Sequence, residues 1–145
     1  MTTQAEARDA VALTINTAWL ASGVTSSFAL QWDDVKSDSP GHDANGLPLT
    51  YARVTIRTLS STQETLGGPG NRKHMSEGLV RVQVFTPFGD GHALADAIAE
   101  VLKASMRNVR VGDLWFFGVV PLEGGQDGAY FRTDVQAGFF YVDRS

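Results

Sequence analysis

Between Gly78 and Met106 the spacing of apolar residues changes from two to between three and four. Val80, Val82 and Val84 alternate with Leu79, Arg81, Gln83 and Phe85. That alternation predicts a strand with one β-branched face and one mixed face. Thr86, Pro87 and Phe88 end the strand, and Gly89, Asp90 and Gly91 turn the chain, with Asp90 suited to be a helix N-cap. From Ala93 the residues Leu94, Ala97, Ile98, Val101 and Leu102 recur at three and four, which predicts a helix of about four turns with one apolar stripe. Such a helix must pack on a sheet.

The same two periods run through the rest of the chain. Ala7, Ala10, Val11, Thr14, Ile15, Ala18 and Trp19 predict an N-terminal helix, capped by Thr2 or Thr3 and ending near Ser22-Gly23. Phe28 to Trp32 reads as a first short strand. Ser37 to Leu49 is rich in turn formers and reads as an exposed loop. In Tyr51 to Leu59, Ala52, Val54 and Ile56 oppose Arg53, Thr55 and Arg57, a second strand with one wet face. Residues 60 to 77, centred on Gly67-Gly68-Pro69-Gly70, have no usable period and read as a long flexible loop. Val109 and Val111 can start a strand, Leu114 to Val120 is a buried run, and Glu123 to Gly128 is a turn. Tyr130 to Val142 is one long strand, in which Phe131, Thr133, Val135, Ala137, Phe139 and Tyr141 oppose Tyr130, Arg132, Asp134, Gln136, Gly138, Phe140 and Val142. The expected fold is α+β: one domain over residues 1–145, a mainly antiparallel sheet of about five strands, two helices packed on one face, and flexible loops at about 37–49 and 60–77.

Composition narrows this further. A chain of 145 residues that is 43% apolar can bury a core without metals or disulfides, and there is no cysteine. Charged residues make up only 19%, which points to a surface partly covered by partners. A net charge of −4 argues against a surface built throughout to grip nucleic acid. Glu6 and Asp9 stand where a signal peptide would carry positive charge, and no apolar run approaches membrane-spanning length, so neither secretion nor a membrane partner is expected.

Candidate chemistry is sparse. The turn GDGHALA matches neither the P-loop nor the dinucleotide pattern. His92 and Asp96 share a helical face, but His42 and His74 lie in separate loops, and no clustered carboxylates complete a metal site. Ser60, Ser61 and Ser76 have no nucleophile elbow or base, and Asp33-Asp34 has no third ligand at calcium-loop spacing. No catalytic, cofactor or metal residue is assigned, and enzymatic activity is not expected.

Surfaces are more informative. The outward set of the sheet holds Arg53, Thr55, Arg57, Arg81, Gln83, Arg132, Asp134 and Gln136. Arginines beside acids suit either a solvated sheet face or a subunit contact, in which one subunit's arginines meet its neighbour's carboxylates. Arg72, Lys73 and His74 form a basic cluster in the long loop, able to reach a partner or make nonspecific phosphate contacts. Trp115, Phe116, Phe117, Phe139, Phe140 and Tyr141 are consecutive, so neighbours must point to opposite faces.

The strand ending in V-F-x-P, the G-x-G turn and the amphipathic helix together resemble the small tail-terminator or tail-completion proteins of long-tailed bacteriophages and prophages, of the minor tail protein U type. The resemblance implies a virion protein that forms a homo-oligomeric ring, of six subunits in that family, on the head-proximal end of the tail tube. It would end tube polymerisation and offer a surface for head-tail joining. Its implied partners are other copies of itself, the tail tube protein and a head-tail connector or neck protein. DNA would only pass through the lumen, and assembly would take place in the bacterial host cytoplasm. A head-completion or neck adaptor, or a minor capsid protein, is the alternative within that biology. A small ligand-binding or hydrolytic α+β domain is the alternative outside it.

Overall fold

The computed structural model describes residues 3–33, 46, 48–63, 73–89 and 92–144, without the side chains of 60–63, 73, 127, 143 and 144. Helix α1 spans Gln4–Ala21, and its N-cap is Thr3, whose hydroxyl accepts a hydrogen bond from the Glu6 backbone N–H at 3.2 Å. Ala7, Val11, Ile15 and Trp19 form its buried stripe. Beyond the helix, Trp19 Nε1 donates to the Phe28 carbonyl at 2.9 Å, and the buried Thr25 hydroxyl donates to the Trp19 carbonyl at 2.6 Å. These two bonds turn the chain from α1 into the sheet.

The strands are β1 Ala29–Trp32, β2 Tyr51–Gln63, β3 Lys73–Pro87, β4 Arg110–Val111, β5 Leu114–Asp127 and β6 Tyr130–Arg144, with helix α2 Ala93–Met106 between β3 and β4. They form one six-stranded sheet in the order β1-β2-β3-β6-β5-β4. The class is α+β, as expected, with two differences in detail. A sixth strand is present because Arg110 and Val111 pair with Trp115 and Leu114, and β1 runs parallel to β2. The other pairings are antiparallel.

Two element boundaries also depart from expectation. Much of the stretch expected as a loop at 60–77 is paired strand, since Ser60 to Gln63 oppose Glu77 to His74 after a bulge at Thr58/Ser60. The hairpin ladder continues through polar residues with no alternation to mark it. Residues 64–72 and most of 37–49 lie outside the described residues. Likewise Glu123 to Asp127, expected as a turn, continues β5 opposite Thr133 to Tyr130 with a bulge at Glu123/Gly125. The N-cap position of α2 falls on His92, which makes no side-chain cap bond, while Asp90 lies outside the described residues.

One face of the sheet carries the core. Ala52, Val54 and Ile56 pair with Val84, Val82 and Val80, which pair in turn with Thr133, Val135 and Ala137. Both helices pack on this face, α1 through the stripe above and α2 through Ile98, Ala99, Leu102 and Met106. Each fully buried valine contributes roughly 1.5–3 kcal/mol relative to exposure. Among the described residues the opposite face is left without a helix.

Two cross-strand pairs of glycine with phenylalanine key the ladders. On the helix side, a Cβ added to Gly78 would collide with the ring of its partner Phe139 and lie 2.6 Å from the Arg57 carbonyl. On the open side the ring of Phe117 lies over its partner Gly138. Gly78→Ala is therefore expected to lower stability by about 1–3 kcal/mol through overpacking. Gly23→Ala, where nothing lies within 4 Å, should stay within about 0.5 kcal/mol of the parent, as surface changes do. Equal urea midpoints for the two variants would refute the packing argument.

Candidate functional site: the open face of the sheet

The open face is built from the residues alternate to the core. Across β1, β2, β3, β6 and β5 its central row runs Gln31, Arg53, Gln83, Asp134 and Leu122. The next row is Thr55, Arg81, Gln136 and Val120, followed by Arg57, Leu79, Gly138 and Phe117. Strands β2 and β3 thus present arginines and amides, and β5 presents apolar side chains. Thr55, Arg57, Leu79, Arg81 and Gln83 line a hollow of about 390 Å³.

The structure brings most of the expected surface residues together. Arg53 Nη2 donates to Gln31 Oε1 at 3.4 Å, and Arg81 Nη2 donates to Gln136 Oε1 at 2.9 Å. Arg57 is exposed, with no hydrogen-bond or ion-pair partner among the described residues. Arg132 lies 3.4 Å from Asp134 Oδ1 through its Nε, and folds over Gly124. His74 is not on this face: it pairs with Gln63 and Asp143, in step with the helix-side residues Ser76 and Gly78. Lys73 begins β3 opposite Arg144, and Arg72 lies outside the described residues.

Asp134 is the anomaly of the site. It is only 5% exposed, and burial pushes its carboxyl above the usual range, although the Arg132 and Arg81 charges pull it down. Its Oδ1, with Arg81 Nε and Arg132 Nε, is buried without a hydrogen-bond partner. The Arg132–Asp134 pair is thus close but misaligned, attraction without a full bond.

Sequence reasoning left open whether the aromatic runs were covered on both sides or formed a patch for another subunit, and it did not identify Val120 and Leu122 as part of this face. Phe117 and Val120, in the run Leu114 to Val120 read as buried, are 46% and 43% exposed, and Leu122 just beyond it is 45% exposed. Trp115 and Phe140 stack at 4.9 Å between centroids, and the Arg110 guanidinium sits 4.3 Å above the Trp115 ring. At the other end Tyr51, Phe85 and Tyr130 form a second aromatic group. The one signal available was the glycine at 118, which allows a bulge that changes which residues face outward.

Other candidate chemistry stays dispersed. His92 packs edge-on to Phe131 at 4.8 Å, beside a hollow of about 290 Å³ in which it is the one titratable lining residue among the described residues. Among the described residues no group of three His, Asp or Glu is placed to hold a metal ion. The site is therefore a surface with charged and apolar halves.

No known protein family and no curated protein matches the chain. Among the solved structures that match, one chain superposes with a TM-score of 0.67 at 17% identity, over 97% of this chain and 96% of its own length. Likeness at this identity shows a shared fold.

Asp134 gives the face a pH signature. A carboxyl with a raised folded-state pKa stabilises the fold most when protonated, below its unfolded pKa, and that contribution is lost as pH rises through the folded value. The stability difference between the parent and Asp134→Asn is expected to move in favour of the variant as pH rises from 3 to 8. Urea unfolding across that range measures it, and a difference independent of pH would contradict the raised pKa.

Proposed function

We propose that this chain is a structural protein of a bacteriophage or prophage tail, forming a homo-oligomeric ring that caps the head-proximal end of the tail tube. The observation that carries the reading is the open sheet face, where arginines on β2 and β3 adjoin exposed Phe117, Val120 and Leu122 on β5. A charged and apolar face of this size suits contact with protein partners, with exposed aliphatic and aromatic groups supplying affinity and the arginines supplying orientation. The resemblance of the Gly78 to Met106 segment to tail terminators supplies the biology.

On this reading the protein works mechanically. A subunit ring occupies the end of the tube, so that no further tube subunit can add, and its far side receives the head-tail connector or neck protein. DNA passes through the lumen, and no cofactor takes part. The ring is assembled in the host cytoplasm and remains in the virion tail.

Light scattering and negative-stain microscopy over a wide concentration range test this. The expected result is rings with a central hole, and shorter tubes when the protein is added to polymerising tail tube protein. A protein that is monomeric at every concentration and leaves tube length unchanged overturns the proposal.

A further inference from the structure

Helix α1 carries a second stripe that the core does not use. Glu6, Asp9, Leu13, Asn16 and Leu20 recur at spacings of three and four on the side opposite Ala7, Val11, Ile15 and Trp19. Leu13 and Leu20 are 67% and 60% exposed. Asp9, Ala12, Leu13 and Asn16 line a hollow of about 400 Å³ together with Trp32 of β1. The chain thus has two uncovered apolar surfaces on opposite sides of the molecule, one edged with acids and one with arginines.

We infer that these two surfaces are partners: the outer stripe of α1 on one subunit docks across the open sheet face of the next copy of this chain. Charge complementarity is the first argument. Among the described side chains, five arginines, Arg53, Arg57, Arg81, Arg110 and Arg132, stand against two carboxylates, Glu77 and Asp134, on the open face of a chain whose net charge is −4. The α1 stripe carries Glu6 and Asp9 and no cation. The α1 arginine, Arg8, falls off the stripe.

Spacing is the second argument. At ~1.5 Å rise per residue, the midpoint of Glu6 and Asp9 precedes that of Leu13 and Leu20 by about 13 Å. At ~4.8 Å per strand, β2 and β3 with Arg57 and Arg81 lie about 10 to 14 Å from β5 with Phe117, Val120 and Leu122. A helix crossing the strands therefore sets acids over arginines and leucines over the apolar strip in one pose. Asp9 approaches Arg57 and Arg81, and Leu13 and Leu20 cover Val120 and Leu122.

Because the two patches differ, the contact is head to tail. It closes into a ring or propagates as a chain, according to the rotation per subunit. This inference rests on the proposed ring and names the surfaces that build it.

The test is charge reversal on the full chain, read by light scattering, with circular dichroism confirming that each variant is folded. Asp9 is chosen because Glu6 also accepts a 3.1 Å hydrogen bond from the Thr3 hydroxyl. Asp9→Lys and Arg57→Glu are each expected to raise the concentration needed for assembly about tenfold, the loss of one charge-paired contact. The two changes combined in one chain should restore assembly. Mixing Leu13→Asp, Leu20→Asp protein with Val120→Asp, Leu122→Asp protein should give a species of two subunits that grows no further, since only one intact contact remains. Rings that form equally well in every variant overturn this inference and leave the ring standing. Open chains or dimers that the variants disrupt and the double reversal restores support the contact and overturn the ring. A parent protein with no self-association at any concentration, and no effect on the length of polymerising tail tube, overturns both.

Discussion

The period of two in the β3–β6 ladder governs both sides of this molecule. Once Val80, Val82 and Val84 and their partners Ala137, Val135 and Thr133 are committed to the helices, the intervening residues have no choice of side. Arg81 must meet Gln136, and Gln83 must meet Asp134, on a face that no helix covers among the described residues. A slip of one residue would bury charged groups and expose the valines. The hydrophobic requirement of one side therefore writes the polar pattern of the other.

That dependence explains what was legible in the sequence. The positions of Arg53, Arg57, Arg81, Arg132, Asp134 and Gln136 could be read because β2, β3 and β6 alternate without interruption across the core. Strand β5 could not be read so simply. Phe117 and Val120 are three positions apart, which regular alternation would put on opposite faces, yet both face outward, because the bulge after Phe117, with Gly118 at a φ of +61°, absorbs the extra residue. Without knowledge of that bulge, LWFFGVV looks like a run to be buried. The ends of the β2–β3 hairpin were hidden for a different reason: apart from Met75 their paired residues are polar, so no amphipathic signal marks them. Strand β4 is too short to carry any period, and the parallel placing of β1 depends on a connection whose course the local sequence does not specify.

Helix α1 shows a similar blind spot. Its buried stripe was readable from Val11, Ile15 and Trp19, whereas Leu13 and Leu20, off that stripe, were given no place. Two stripes on opposite sides reduce the contrast between them. On the sheet, the charged cluster makes a compromise. Asp134 is held between two arginines without ideal geometry, so the fold tolerates incomplete hydrogen bonding where the open face meets its apolar strip.

The margin of the sheet at β5 has a consequence for solubility. Strand β4 pairs only with Leu114 and Trp115, so among the described residues the remainder of β5 has no strand along its outer side. An edge of that length would invite uncontrolled stacking into fibrils. Two bulges and a glycine-rich stretch bend its donors and acceptors out of line, which discourages a foreign strand from adding there. Irregularities in one strand thereby guard the chain against amyloid-like growth.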